Sequence, residues 1–231
     1  MSSTSLICIV NQLADCIELI AQRRSFRVAI DGRTAAGKTT FADTLAATLS
    51  ERGRSTIRTS IDGFHRPKAE RYARGRHSAE GYYFDARNLP AVRSMLLDPL
   101  GLDGNRSYRT ACFDLEHDCS IEVPATIAPP DAVLIVDGTF LQRPELADGW
   151  DATIFLRVSE DVAARRGIER DSNLLGGPGA ARDLYAKRYL PAYDLYSSFA
   201  HPEASADAVV DNDDFEYPVL TLKVGGRLKR R

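Results

Sequence analysis

The segment Gly32-Arg33-Thr34-Ala35-Ala36-Gly37-Lys38-Thr39 matches G-x-x-x-x-G-K-[ST] at every fixed position. Its context fits the motif. The apolar run Phe26-Arg27-Val28-Ala29-Ile30 leads in as a strand, and a helical pattern through Phe41, Leu45, Ala46 and Leu49 leads out, with Gly53 as its stop. In such a loop, glycines allow successive backbone N–H groups to converge on one point, where the following helix adds partial positive charge. The expected phosphate-holding residues are Gly32, Arg33, Thr34, Ala35, Ala36, Gly37, Lys38, Thr39 and Thr40, with Lys38 as the mobile cation and Thr39 as a hydroxyl ligand for Mg²⁺.

Further strands are expected at Thr56–Ile61, Ala132–Val136, Ala152–Leu156 and Ala208–Val210. Short runs apolar on both faces, alternating with helical patterns, point to an α/β fold: a five-stranded parallel sheet with helices on both sides. Residues Tyr108 to Val123 break the rhythm with two short alternating stretches, read as a hairpin excursion. Leu6, Ile9, Leu13, Ile17 and Ile20 recur at helical spacing and suggest an amphipathic leader helix within residues 1–24. With neither an internal repeat nor a low-complexity linker, one domain spanning 1–231 is the expected organisation.

In a parallel sheet, ligands gather at the carboxyl ends of the strands. Asp62, after the second strand, is placed to accept the proton of an acceptor hydroxyl, and Asp137, after the most apolar strand, to act on Mg²⁺. Arg165, Arg166 and Arg170 lie on one helical pattern ahead of Gly176-Gly177-Pro178-Gly179, which suits an arginine-bearing lid over residues 165–182. Residues 62–123 form the expected acceptor-binding region. Its candidates are Phe64, His65, Tyr82, Tyr83 and His117, with a cationic run of Arg66, Lys68, Arg71, Arg74 and Arg76. Aromatic faces there suit a planar base, and the cations suit an anionic acceptor.

Composition narrows the partners. Against 30 Lys+Arg stand 32 Asp+Glu, for a formal charge of -2, which gives no reason to expect nucleic acid or an anionic membrane. Only 5 of the cations are Lys, an excess of Arg that supplies planar forks for phosphate. The N-terminal stretch has no basic region before its apolar residues and is broken by Asn11 and Asp15, so neither a secretory signal nor a membrane span is expected. Cys8, Cys16, Cys112 and Cys119 form no CxxC pair and are expected as buried free thiols in a reducing cytoplasm. Homo-oligomerisation is left open.

The phosphate loop, Asp62 in DGFH, LIVDG, RRGIERD and the closing PAYDLY…HPEASADAVVDN together resemble the uridine kinase-like P-loop kinases, whose relatives include phosphoribulokinase and bacterial-type pantothenate kinase. The resemblance covers about residues 26 to 212. It implies a P-loop NTPase fold, ATP·Mg²⁺ as phosphoryl donor, and a hydroxyl of a uridine- or cytidine-like nucleoside as acceptor. It also implies Asp62 as base and Arg165, Arg166 and Arg170 as lid cations. The second strand end departs from the nucleoside pattern Asp-x-Phe-Tyr. Its Asp62-Gly63-Phe64-His65 is closer to the Asp-Gly-Phe of the pantothenate and phosphoribulose relatives, which keeps another acceptor, such as pantothenate, a sugar or a sugar phosphate, as the alternative. A nucleotide-sensing module without transfer is the reading from a different class.

Overall fold

The computed structural model describes residues 5–22 and 24–229. Six strands form the central sheet: β1 Phe26–Gly32, β2 Thr56–Ser60, β3 Val133–Gly138, β4 Ala152–Arg157, β5 Ala208–Asp211 and β6 Val219–Leu222. Their order is β6-β5-β4-β1-β3-β2. The pairs among β1 to β5 are parallel, and β6 runs antiparallel on β5. The five expected parallel strands are all present, and the correction is the sixth. Val219 and Thr221 are exposed on this edge strand, so β6 lacks the two-sided apolar run that marks its neighbours.

Two-residue periodicity divides the apolar strands between two cores. Val28, Ile30, Val133 and Ile135 face one side with α1 (Leu6–Ala21) and α2 (Lys38–Glu51). Ala29, Leu134 and Val136 face the other, against Leu89, Val92, Leu96, Leu97 and Trp150. The leader helix is anchored through buried Ile9, Leu13 and Ile17, and Arg52 binds its Asp15 and Glu18. The outer parts of the expected 1–24 range, residues 1–4 and 23, lie outside the described residues.

The excursion is a hairpin lying off the main sheet, with Phe113–Asp114 paired to Cys119–Ser120 and Ser107–Tyr108 paired to Thr126–Ile127. The lid region is more ordered than a flexible loop. Here α3 (Glu160–Leu175) ends at Gly176 and Gly177, with φ of 93° and 104°, and Pro178 immediately opens α4 (Pro178–Leu184). A π-wound turn, Tyr185–Tyr189, continues into α5 (Leu190–Ala200). None of the four cysteines is buried: Cys8 and Cys119 are exposed, and Cys16 and Cys112 are half-buried against the edges of the two cores. No helix among the described residues is long and apolar enough to cross a membrane.

Candidate functional site

The phosphate loop joins β1 to α2, with Gly37 at φ 88° as the helix N-cap. A Cβ there would lie 2.8 Å from Asn212 Nδ2, the amide that donates to the Ala36 carbonyl at 2.8 Å. Lys38 is buried and its Nζ donates to the Arg33 carbonyl at 2.6 Å. Burial pushes its ammonium down to about 8. The Arg33 side chain stacks 3.8 Å above Tyr193, so the loop uses its backbone more than its guanidinium. A cavity of about 350 Å³ is lined by Ala35 through Thr40 together with Arg166, Arg170 and Phe215.

Beside it, Thr39 Oγ1 donates to Asp137 Oδ2 at 2.7 Å, and Arg58 Nη1 lies 2.8 Å from Asp137 Oδ1. A hydroxyl and a carboxylate, both oxygen donors and next to the phosphate loop, fit Mg²⁺, which takes one or two protein ligands plus phosphate oxygens and water.

Asp62 follows β2 on the 3₁₀ turn Ile61–Phe64. Its carboxylate is exposed into a cavity of about 110 Å³ that also takes in Lys38, Thr39, Tyr82, Arg87, Asp137 and Arg170. Arg87 Nη2 lies 2.7 Å from Asp62 Oδ1. Desolvation alone would raise this carboxyl, but Arg87 foremost, then His65, Lys38 and Arg170, hold it below the ordinary 3.8. His65 is buried beneath the pair. Its Nδ1 lies 2.9 Å from the Asp62 carbonyl, and its Nε2 faces Arg87 Nη1. Since a guanidinium can only donate, Nε2 must accept and the ring is neutral. Burial, with Arg87 adding to it, pushes the imidazole down to about 3. His65 thus contacts both Arg87 and the Asp62 backbone, and it lines a neighbouring cavity of about 550 Å³ rather than the one around the Asp62 carboxylate.

Of the lid cations, Arg166 and Arg170 share a helix face and both line the larger cavity. Arg166 donates to the carbonyls of Asn212 and Asp213 and stacks 3.5 Å over Phe215. Arg170 also reaches the smaller cavity, held by both oxygens of Asp171, which in turn accepts from Tyr185. Arg165 is exposed and lines neither cavity, because adjacent helical residues point about 100° apart. Its expected nucleotide contact is corrected accordingly.

The aromatic candidates divide in the same way. Tyr82 lines the Asp62 cavity, with its hydroxyl 3.4 Å from Thr139 Oγ1. Tyr83 and Phe64 are core residues: Tyr83 packs edge-on against Phe140, and Phe64 lies with Leu89 and Leu96. His117 is on the exposed hairpin turn, paired with Asp114 at 2.8 Å, away from the Asp62 cavity. In the cationic run, Arg66, Arg71 and Arg74 are matched by Glu70, Asp118, and Glu80 with Asp85.

Two charged residues that the sequence did not single out stand at this site: Arg87, which pairs with Asp62 and lines its cavity, and Asp31, buried at the start of the phosphate loop. Asp31, the last residue before the loop, is fully buried and accepts from Tyr196, from Gln142 at 3.0 Å and from the Gly32 amide at 2.8 Å. Burial pushes its carboxyl above the ordinary value despite those bonds. An acid directly ahead of the first loop glycine was the available cue; Arg87 carried none.

No family model matches the chain, and no curated protein matches it. Solved structures do. The chain is similar to a possible uridine kinase from Bacillus stearothermophilus at 23% identity over 86% of this chain and 98% of that one, with a TM-score of 0.64. A Silicibacter sp. TM1040 protein assigned as a fructose transport system kinase is 22% identical over 85% and 95%, at 0.69. D-glycerate 3-kinase from Cryptococcus neoformans is 14% identical over 81% and 88%, at 0.54. The fold of this chain is the one shared by uridine kinase-like P-loop kinases.

Proposed function

We propose that this protein is an ATP-dependent kinase that transfers the γ-phosphoryl group to a hydroxyl of a small metabolite, acting as one domain in the cytoplasm. The observation that carries the reading is the single small cavity shared by Lys38, Thr39, Asp137, Asp62 and Arg170. A nucleotide sensor has no use for the acceptor-side carboxylate in that set.

In this reaction the acceptor oxygen bonds to the γ-phosphorus as the bond to the bridging β–γ oxygen breaks, and the hydroxyl proton passes to Asp62. Because the transition state is loose, a carboxylate of low basicity suffices: Asp62 orients the hydroxyl and receives its proton late. Lys38 and the loop amides bind the β- and γ-phosphates, and Arg170 offsets charge on the moving group. Arg166 and Phe215 wall the nucleotide side. Thr39 and Asp137 would hold Mg²⁺, which would supply positive charge to offset that of the phosphates. The nucleoside-like acceptor retains the support of Tyr82, while Tyr83 and Phe64 no longer contribute to it.

ADP release across a panel of hydroxyl acceptors tests the reading. Asp62→Asn is expected to lower turnover by roughly 10²–10⁴-fold while ATP still binds, and Lys38→Ala to abolish it. Wild-type turnover in Lys38→Ala, or ATP consumption indifferent to every acceptor, would favour the sensor instead.

A further inference from the structure

Tyr185, Tyr193 and Tyr196 lie on one helical run, in which α4, the π-wound turn and α5 follow each other without a break over residues 178–200. These phenols reach different parts of the site. The Tyr196 hydroxyl donates to Asp31 Oδ2 and accepts from the Gln142 backbone amide at 3.0 Å. One turn earlier, the Arg33 guanidinium of the phosphate loop stacks 3.8 Å from the Tyr193 ring centre. Toward the start of the run, the Tyr185 hydroxyl donates to Asp171 Oδ2 at 2.8 Å, and Asp171 accepts from Arg170 Nε and Nη2 at 2.7 and 3.0 Å.

An apolar side chain would end β1 at lower cost than Asp31, which has no exposed surface, because a buried carboxylate needs its acceptor positions met. Three elements meet them: the Gly32 amide at 2.8 Å, the Gln142 side-chain amide at 3.0 Å from the segment after β3, and Tyr196 from the helical run. Tyr196 is as fully buried, with Phe140 edge-on to its ring, so the Asp31–Tyr196 bond lies away from water, where such bonds are stronger. The Tyr185 end packs as closely, against Gly167 of α3, the helix that carries Arg170. At a helical rise of about 1.5 Å per residue, roughly 16 Å separate Tyr185 from Tyr196 along the run, a spacing that a packed helix holds and a loop would not.

We propose that Asp31 and Tyr196 are positioning residues for phosphoryl transfer: their bond fastens the helical run to the strand that carries the phosphate loop, and the run, through Tyr185 and Asp171, sets where Arg170 stands relative to Lys38. The inference rests on the kinase reading and adds to it the contact that joins the lid cation to the loop. Lys38 and the loop amides bind ATP without that contact, because Gln142 and the Gly32 amide still hold Asp31. Arg170 offsets charge on the moving group only from the right distance, so the contact acts on the transition state rather than on ATP binding.

The test measures steady-state ADP release with Mg·ATP and uridine, pantothenate, D-glycerate, fructose and ribose 5-phosphate, and compares variants on the acceptor that the wild type uses best. Tyr196→Phe keeps the buried ring and is expected to lower kcat about tenfold, with the KM for ATP changed by less than about twofold. Asp31→Ala is expected to lower kcat at least as far, and Asp31→Asn, whose amide oxygen can still accept from Tyr196, to recover part of the loss. Tyr185→Phe acts along the same path, so combining it with Tyr196→Phe should lose little more than either change alone, rather than about 100-fold. An unchanged kcat in Tyr196→Phe, a loss confined to melting temperature, or losses that multiply in the double variant overturns the inference and leaves the kinase reading standing. No transfer by the wild type to any of the five overturns the kinase reading, and this inference falls with it.

Discussion

Arg87 Nη2 lies 2.7 Å from Asp62 Oδ1, and the same guanidinium is held by the unprotonated Nε2 of His65. The acceptor-side carboxylate therefore sits between a burial effect that raises its pKa and a cation that lowers it, and the cation prevails. Asp62 stays ionised below the range where an isolated carboxylate would protonate.

Replacing Arg87 by Met reverses that balance. Burial is then less opposed, the Asp62 carboxyl rises, and the acidic limb of kcat/KM moves to higher pH. In the wild type the limb is expected below the ordinary carboxylate range, because Arg87 lowers the Asp62 carboxyl. A pH profile of both proteins measures the shift, and coincident acidic limbs would remove Arg87 from this role.

His65 links the same site to stability. Its folded value near 3 lies below the ordinary 6.5, so the unfolded chain binds more protons between those values. Stability attributable to a neutral His65 is complete above about pH 6.5 and falls as the pH drops toward 3. Against His65→Asn, the wild type should lose on the order of a few kcal/mol across that window. Urea midpoints at several pH values report it, and a constant difference between the two proteins would contradict it.

Where α3 meets the π-wound turn, a Cβ on Gly167 would come within 1.9 Å of the Tyr185 hydroxyl. Gly167→Ala is expected to cost about 1–3 kcal/mol, by forcing the helices apart. Tyr185→Phe leaves the packing but removes the 2.8 Å bond to Asp171, which holds Arg170. Its expected signature is a fall in kcat with little change in melting temperature. If both variants lose only stability, Asp171 does not position Arg170 for transfer.

The amide of Asn212 holds the phosphate loop through the Ala36 carbonyl. Asn212→Ala is expected to raise the KM for ATP roughly tenfold, the cost of leaving a buried carbonyl unpaired. Gly37→Ala should be worse, since φ of 88° strains any side chain and the new Cβ meets that amide. Equilibrium binding of a fluorescent ATP analogue separates the two from effects on acceptor binding.

Contiguous patterns in the chain were enough to locate much of this site. The loop from Gly32 to Thr39 requires consecutive residue types, and Asp62 and Asp137 end apolar strands whose direction places them at the ligand edge. Side-chain direction was less legible. Tyr82 and Tyr83 are neighbours of the same chemical type, yet the π-wound turn Gly81–Asp85 sends one to the Asp62 cavity and the other to the core. The arginines of α3 were read as a group, and helical pitch separated Arg165 from Arg166 and Arg170. The edge strand β6 was missed because half its residues face solvent.

The sequence by itself determined where the phosphate-loop motif lies and which acids stand at the strand ends, because those features depend on neighbours along the chain. Only the tertiary structure decided which residues act on those acids. Arg87 reaches Asp62 across 25 positions, Tyr196 reaches Asp31 across 165, and Asn212 reaches the loop across 176. The physical reason is that burial and charge act through space. Whether an arginine meets a carboxylate, as Arg87 does, or tyrosine rings and a backbone carbonyl, as Arg188 does, is set by packing.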